Sequence, residues 1–175
     1  MQQAIRMRMS IQILEKPTIA HDPLEALEAV AGLMEIEVER VDDAELHLAV
    51  PGAWRDAGVW FTWRPEVSTL QLGAPLDIKA PSNRVGDAAK LVTLVNERLW
   101  VGHFDLWSED LAIVYRNGII LSDDAALDPQ QAQNLISATA EAVDRFYPAF
   151  NYLVWGGKSP EDALKASLFD TVGSA

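Results

Sequence analysis

Apolar residues recur at helical spacing in three stretches of the chain and alternate with polar ones in the segments between, and that pattern predicts most of the elements. Over Asp22–Glu35, residues Leu24, Leu27, Ala31 and Met34 make one apolar helix face. Asp22 is a favourable N-cap, and Pro23 suits the first helical position, where no backbone N–H is needed. Over Arg84–Leu99 the stripe is Val85, Ala88, Leu91, Val92, Val95 and Leu99, with Ser82 or Asn83 available as the cap. Asp128-Pro129 repeats the cap-plus-proline start and opens a long helix to Trp155, with Ala132, Leu135, Ile136, Val143, Phe146, Phe150 and Val154 in register. Pro148 falls inside it; a proline there removes one hydrogen bond and clashes with the preceding turn, which predicts a kink or a split near Asp144–Tyr147. Gly156-Gly157 ends the helix, and Ser159-Pro160-Glu161-Asp162 starts a last one with an approximate capping box.

Strand patterning fills the gaps. Ile36 and Val38 alternate with Glu37 and Glu39; Leu46, Leu48 and Val50 alternate with Glu45, His47 and Ala49, up to Pro51-Gly52. Gly58–Arg64 and Val67–Leu72 read as a third and fourth strand. Alternation implies a sheet with one buried and one partly wet face, and the short connections imply an antiparallel meander. Val101–Trp107 and Leu111–Arg116 form a hairpin around Ser108-Glu109-Asp110. Asn117-Gly118 either turns into a short strand Ile119–Leu121 or lies in one strand bulged at Gly118, and the single strand is preferred. Gly73–Pro75 and Ala80–Asn83 read as loops within one fold. In the third strand Val59, Phe61 and Trp63 share one face, and Trp60, Thr62 and Arg64 the other. Both faces carry an indole, so a second layer, from this chain or a partner, is expected there. The fold class is α+β: a meander plus a hairpin, flanked by helices.

The 175 residues, 49% apolar and 23% charged, suit one globular domain, here residues 21–175 behind a loose segment 1–20 in which Met9 is an alternative start. That segment lacks the apolar run of a secretory signal, and no window is long and apolar enough for a membrane span. A net charge of −12 disfavours nucleic acid and anionic membranes as partners. The absence of cysteine removes thiol and Cys–zinc chemistry and fits a cytoplasmic protein.

Candidate chemistry is sparse. His103 and Asp105 lie two apart on a strand and could share an ion or proton, although an ordinary polar strand face explains them more simply. His21 belongs with the Asp22 cap, and the pairs Asp42/Asp43, Glu109/Asp110 and Asp123/Asp124 read as solvated turns. Gly156–Pro160 resembles the tail of a phosphate loop, but Tyr152 stands where that loop needs glycine. No catalytic, cofactor-binding or metal-ligating residue is assigned, and the chain reads as non-enzymatic. The six tryptophans stand out. Core packing is the default for each, yet their number implies that a few lie at an interface. Trp54 and Trp60, with Thr62 and Arg64 on the face of Trp60, are the candidate protein-binding residues. A second reading places a small molecule or lipid in the apolar space between sheet and long helix.

Three runs taken together resemble the YbjN family, described as bacterial sensory transduction regulators: Asn96-Glu97-Arg98-Leu99-Trp100-Val101-Gly102-His103-Phe104-Asp105; Val114-Tyr115-Arg116; and Tyr147-Pro148-Ala149-Phe150 through Trp155-Gly156-Gly157-Lys158-Ser159-Pro160. The resemblance covers the chain from about Asp22 and is closest in its second half. It implies a fold like that of type III secretion chaperones, which are typically dimers that bind an extended segment of another protein. A protein partner and a homodimer are therefore expected. Beyond that basic fold the chain continues from about Pro148 to Ala175, which adds a C-terminal helix.

Overall fold

The computed structural model describes residues 22–122 and 127–172, and within them one six-stranded antiparallel sheet carries four helices on a single face. The loose segment 1–20 with Met9, the His21 cap contact and the Asp123/Asp124 pair lie outside the described residues. Helix α1 (Pro23–Leu33) starts as its sequence demands, with the Asp22 carboxylate accepting from Leu24 N–H at 2.9 Å. It stops in a left-handed turn at Glu35 (φ 58°), where Glu35 N–H returns to Gly32 O and Ile36 N–H to Ala31 O.

Strands β1 (Glu37–Arg40), β2 (Glu45–Val50), β3 (Ala57–Arg64) and β4 (Thr69–Lys79) form the meander. Helix α2 (Val85–Asn96) then leads to β5 (His103–Leu106) and β6 (Ala112–Ile120). The hairpin is added through its second strand, so the spatial order is β1-β2-β3-β4-β6-β5. Strand β6 runs unbroken through Asn117-Gly118, as preferred from the sequence, and the register shift falls on β4 between Pro75 and Lys79 instead.

Two expectations need correction here. Gly73–Pro75 is not a loop but the middle of β4. Pairing with β3 stops at Gly73, so Pro75 has only β6 beside it, and a proline is tolerated on such a one-sided stretch. Neither Ser82 nor Asn83 caps α2; both lie in a 3-10 turn, Ser82–Arg84, that leads directly into the helix.

Helix α3 (Pro129–Val154) has a capping box between Asp128 and Gln131 and does not split; it passes through Pro148 without a break. The proline leaves one carbonyl of the helix to be satisfied from outside it. Without an N–H, Pro148 cannot serve the carbonyl of Asp144, one turn earlier. The indole N–H of Trp54, from the β2–β3 loop, donates to that carbonyl at 3.1 Å, and both Asp144 carboxylate oxygens accept from Ala53 N–H at 3.0 and 2.9 Å. At the far end of α3 the Arg84 guanidinium, paired with Asp87 at 2.9 Å, donates to the carbonyls of Leu153 and Lys158. Helix α4 (Pro160–Val172) opens on Ser159, whose hydroxyl accepts from Asp162 N–H at 3.2 Å, and packs on α2 and α3.

The runs that carry the family resemblance meet in one aromatic cluster under the sheet. Phe104 stacks edge-on against Tyr115 (5.3 Å) and Phe146 (6.1 Å) and tilts against Phe150 (5.2 Å), all four fully buried. The Asn96 carboxamide donates to Phe104 O (3.0 Å) and accepts from Phe104 N–H (2.8 Å), supplying on the outer side of β5 the bonds a further strand would give. Gly102 (φ 67°) must be glycine, because a Cβ there would meet the Tyr115 hydroxyl at 2.2 Å. That hydroxyl donates to Val101 O at 3.0 Å, and burial pushes its pKa up.

Candidate interaction surfaces

Helical and inward strand residues form one core, and among the described residues no helix packs on the opposite face of the sheet, where Val114 is nonetheless buried. The second layer expected over β3 is absent among the described residues. Register places a continuous row across all six strands of that face: Glu39, His47, Trp60, Gly73, Arg116 and His103. Trp60 stands at its centre, its six-membered ring lying over Gly73, where a Cβ would come within 2.1 Å of it. Thr62 and Arg64 follow on the same side of β3, as the alternation predicts, with Thr62 between Glu45 and Gln71. Charge is unevenly spread. Towards β1 the face carries Glu37, Glu39 and Glu45, the last 2.5 Å from His47 Nε2. Towards β5 it carries Arg116, whose guanidinium lies 2.9 Å from Asp105, with His103 Nε2 at 3.5 Å from the same carboxylate. His103 and Asp105 thus meet as their spacing suggests, but Arg116 is Asp105's nearer partner.

Trp54 is elsewhere. It lines an open groove of about 360 Å³ with Tyr147, Pro148, Asn151, Tyr152 and Trp155, and Trp60, Thr62 and Arg64 take no part in it. The sequence reading therefore named residues of two separate surfaces. It missed the α3 side of the groove, although the spacing of Tyr147, Asn151 and Trp155 at four-residue intervals carried the signal. The default of core packing fails for four tryptophans: Trp100, Trp155 and Trp54 are 101%, 77% and 51% exposed and Trp107 is exposed; Trp60 is partly buried, and Trp63, also partly buried, packs against the core.

The space between sheet and α3, where the alternative reading sought a ligand, is filled by Phe104, Tyr115, Phe146 and Phe150. Among the described residues no three His, Asp or Glu side chains gather as a metal site would require, and no helix is long and apolar enough to cross a membrane. The resolved carboxyl shifts are surface ones: Lys79 holds Asp110 low, and Lys90 holds Glu161 low where α4 meets α2.

The sequence pattern of one family, described as YbjN, putative bacterial sensory transduction regulator, matches residues 23–151. The chain belongs to the YbjN family. Its fold agrees: the crystal structure of YbjN from E. coli, described as a putative transcription regulator, superposes with a TM-score of 0.51 at 13% identity, covering 76% of this chain and 93% of that one. No protein of curated function matches the sequence. The YbjN pattern ends at Asn151, so α4 and the groove residues Tyr152 and Trp155 lie beyond it. The family's description is that of a regulator, not of an enzyme.

Proposed function

We propose that this YbjN protein is a non-enzymatic, cytoplasmic regulatory module that acts as a homodimer and binds a segment of another protein on the open face of its sheet. One observation carries the reading: the sheet face that no described helix covers presents Trp60 at the centre of an in-register row, flanked by charges of both signs. Aromatic anchors with polar surroundings supply most of the affinity at protein interfaces. Trp60 is held flat on Gly73 and has little freedom to lose on binding. The side chains of Arg64, Glu37 and Glu39 make no ion pair or hydrogen bond with a described residue, so all three are open to a partner. Among the described residues β1 is an edge strand, and those glutamates discourage pairing with unspecific strands.

The test is the solution mass of the protein, alone and as recovered with a tag from its own cytosol. The expected result is a dimer of the 19.3 kDa chain that retains a specific second polypeptide, which Thr62→Arg releases. A monomer that retains no polypeptide, or a polypeptide held equally by Thr62→Arg, contradicts the proposal.

A further inference from the structure

We infer that the groove beside Trp54 is a second binding site, for a proline-rich segment of another protein held as a polyproline II helix with a basic residue at one end. This rests on the reading of the protein as a binder of other proteins' segments, but on a surface apart from the sheet face.

The site is built by a backbone defect. Pro148 leaves the Asp144 carbonyl without its helical donor, and the Trp54 indole N–H supplies the bond at 3.1 Å. The indole is thereby fixed beside α3 with much of its surface in solvent. Two rows along the end of α3 and the turn after it face the indole: Tyr147, Asn151 and Trp155 in one, Pro148, Tyr152 and Gly156 in the other. Each covers nine residues, eight steps or roughly 12 Å at the helical rise of about 1.5 Å per residue. Polyproline II advances about 3.1 Å per residue, so the groove matches about four residues, the length of one Pro-x-x-Pro unit.

The chemistry fits the same occupant. Polyproline II makes no internal hydrogen bonds, so its carbonyls need donors from the host. Tyr147 and Asn151 bring a hydroxyl and a carboxamide to the groove, and neither side chain bonds to another described residue. Aromatic walls with such donors are how folded domains hold Pro-x-x-Pro segments. None of the lining residues is charged, but the two ends differ. Asp144, one turn before Pro148, accepts from Ala53 N–H and has no cationic partner among the described residues. At the other end the Lys158 ammonium lies 5.7 Å over the Tyr152 ring. A basic flanking residue is therefore directed towards Asp144 and away from Lys158, which sets the direction of the segment. A second copy of this chain, with its net charge of −12, is a poorer match for the Asp144 end.

The experiment is a titration of the full chain with a short synthetic peptide of Pro-x-x-Pro repeats flanked by arginine, followed through the tryptophan indole N–H signals by NMR. Saturable shifts of the Trp54 and Trp155 signals are expected, with Trp60 unmoved. Trp155→Ala, at an exposed position where folding is not at stake, should weaken binding about tenfold. Asp144→Asn should weaken the arginine-flanked peptide and leave an arginine-free one unchanged. The proposal is overturned if no signal saturates, if a glycine–serine peptide with the same arginine shifts the signals equally, or if the shifts fall on Trp60. None of those results touches the sheet-face reading, which the tagged recovery tests separately.

Discussion

Phenylalanine and tryptophan divide this molecule between inside and outside. Four of the five phenylalanines are buried, and one of them, Phe104, packs against Tyr115, Phe146 and Phe150; none of the six tryptophans is buried. The polar groups of the inner cluster are taken up locally: Asn96 closes on the Phe104 backbone, and Tyr115 on Val101. Around the outer aromatics polar groups remain unused, among them Arg64, Tyr147 and Asn151. The difference follows from the side chains. A phenyl ring leaves no polar atom to satisfy, whereas an indole N–H needs a partner when buried and tolerates a half-wet position. The buried aromatic cluster is thus built on phenylalanine and Tyr115, and the tryptophans lie at or near the surface.

The comparison can be broken most sharply from the inside. Phe104→Ala should cost about 4 kcal/mol, because it empties a fully enclosed site that three other rings surround. Urea unfolding measures it, and a loss under about 1 kcal/mol would show that the cluster does not hold the fold.

Next in size is Tyr115→Phe. At neutral pH it should cost about 1 kcal/mol, the value of the hydroxyl's bond to Val101 O. Burial raises the folded-state pKa of Tyr115, so its contribution is complete below the ordinary tyrosine value of 10.0 and is lost as pH rises through the raised one. The stability gap between wild type and variant should therefore narrow above pH 10, and a gap that widens would contradict the assignment.

The smallest effect is expected outside. Trp100, 101% exposed, should tolerate alanine within about 0.5 kcal/mol. A larger loss on the same unfolding curve would place that indole in the fold after all.

Much of this was legible in the sequence, for local reasons. Asp22-Pro23 and Asp128-Pro129 announce helix starts because a cap needs only its own first turn. The face shared by Trp60, Thr62 and Arg64 follows from strand alternation alone. What escaped depends on distant partners. Gly73–Pro75 reads as a break, yet it is strand because Trp60 covers Gly73 from β3 and β6 continues beside Pro75. Pro148 reads as a helix breaker, yet α3 continues because an indole 94 positions earlier takes the carbonyl that the proline abandons. The groove was hidden for the same cause: the β2–β3 loop with Trp54 is held on α3 by bonds to Asp144, which is 90 positions away. The family resemblance, by contrast, sits in residues that the fold gathers at one point, Asn96, Gly102, Phe104 and Tyr115.

Trp60→Ala tests recognition by the sheet face most directly, measured as the solution mass of the tagged variant recovered from its own cytosol beside the wild type. The prediction is a variant that melts close to the wild type and comes out as a bare dimer, while the wild type carries its second polypeptide. A variant that unfolds would put Trp60 in the fold, and one that keeps the polypeptide in full would remove the open sheet face from recognition.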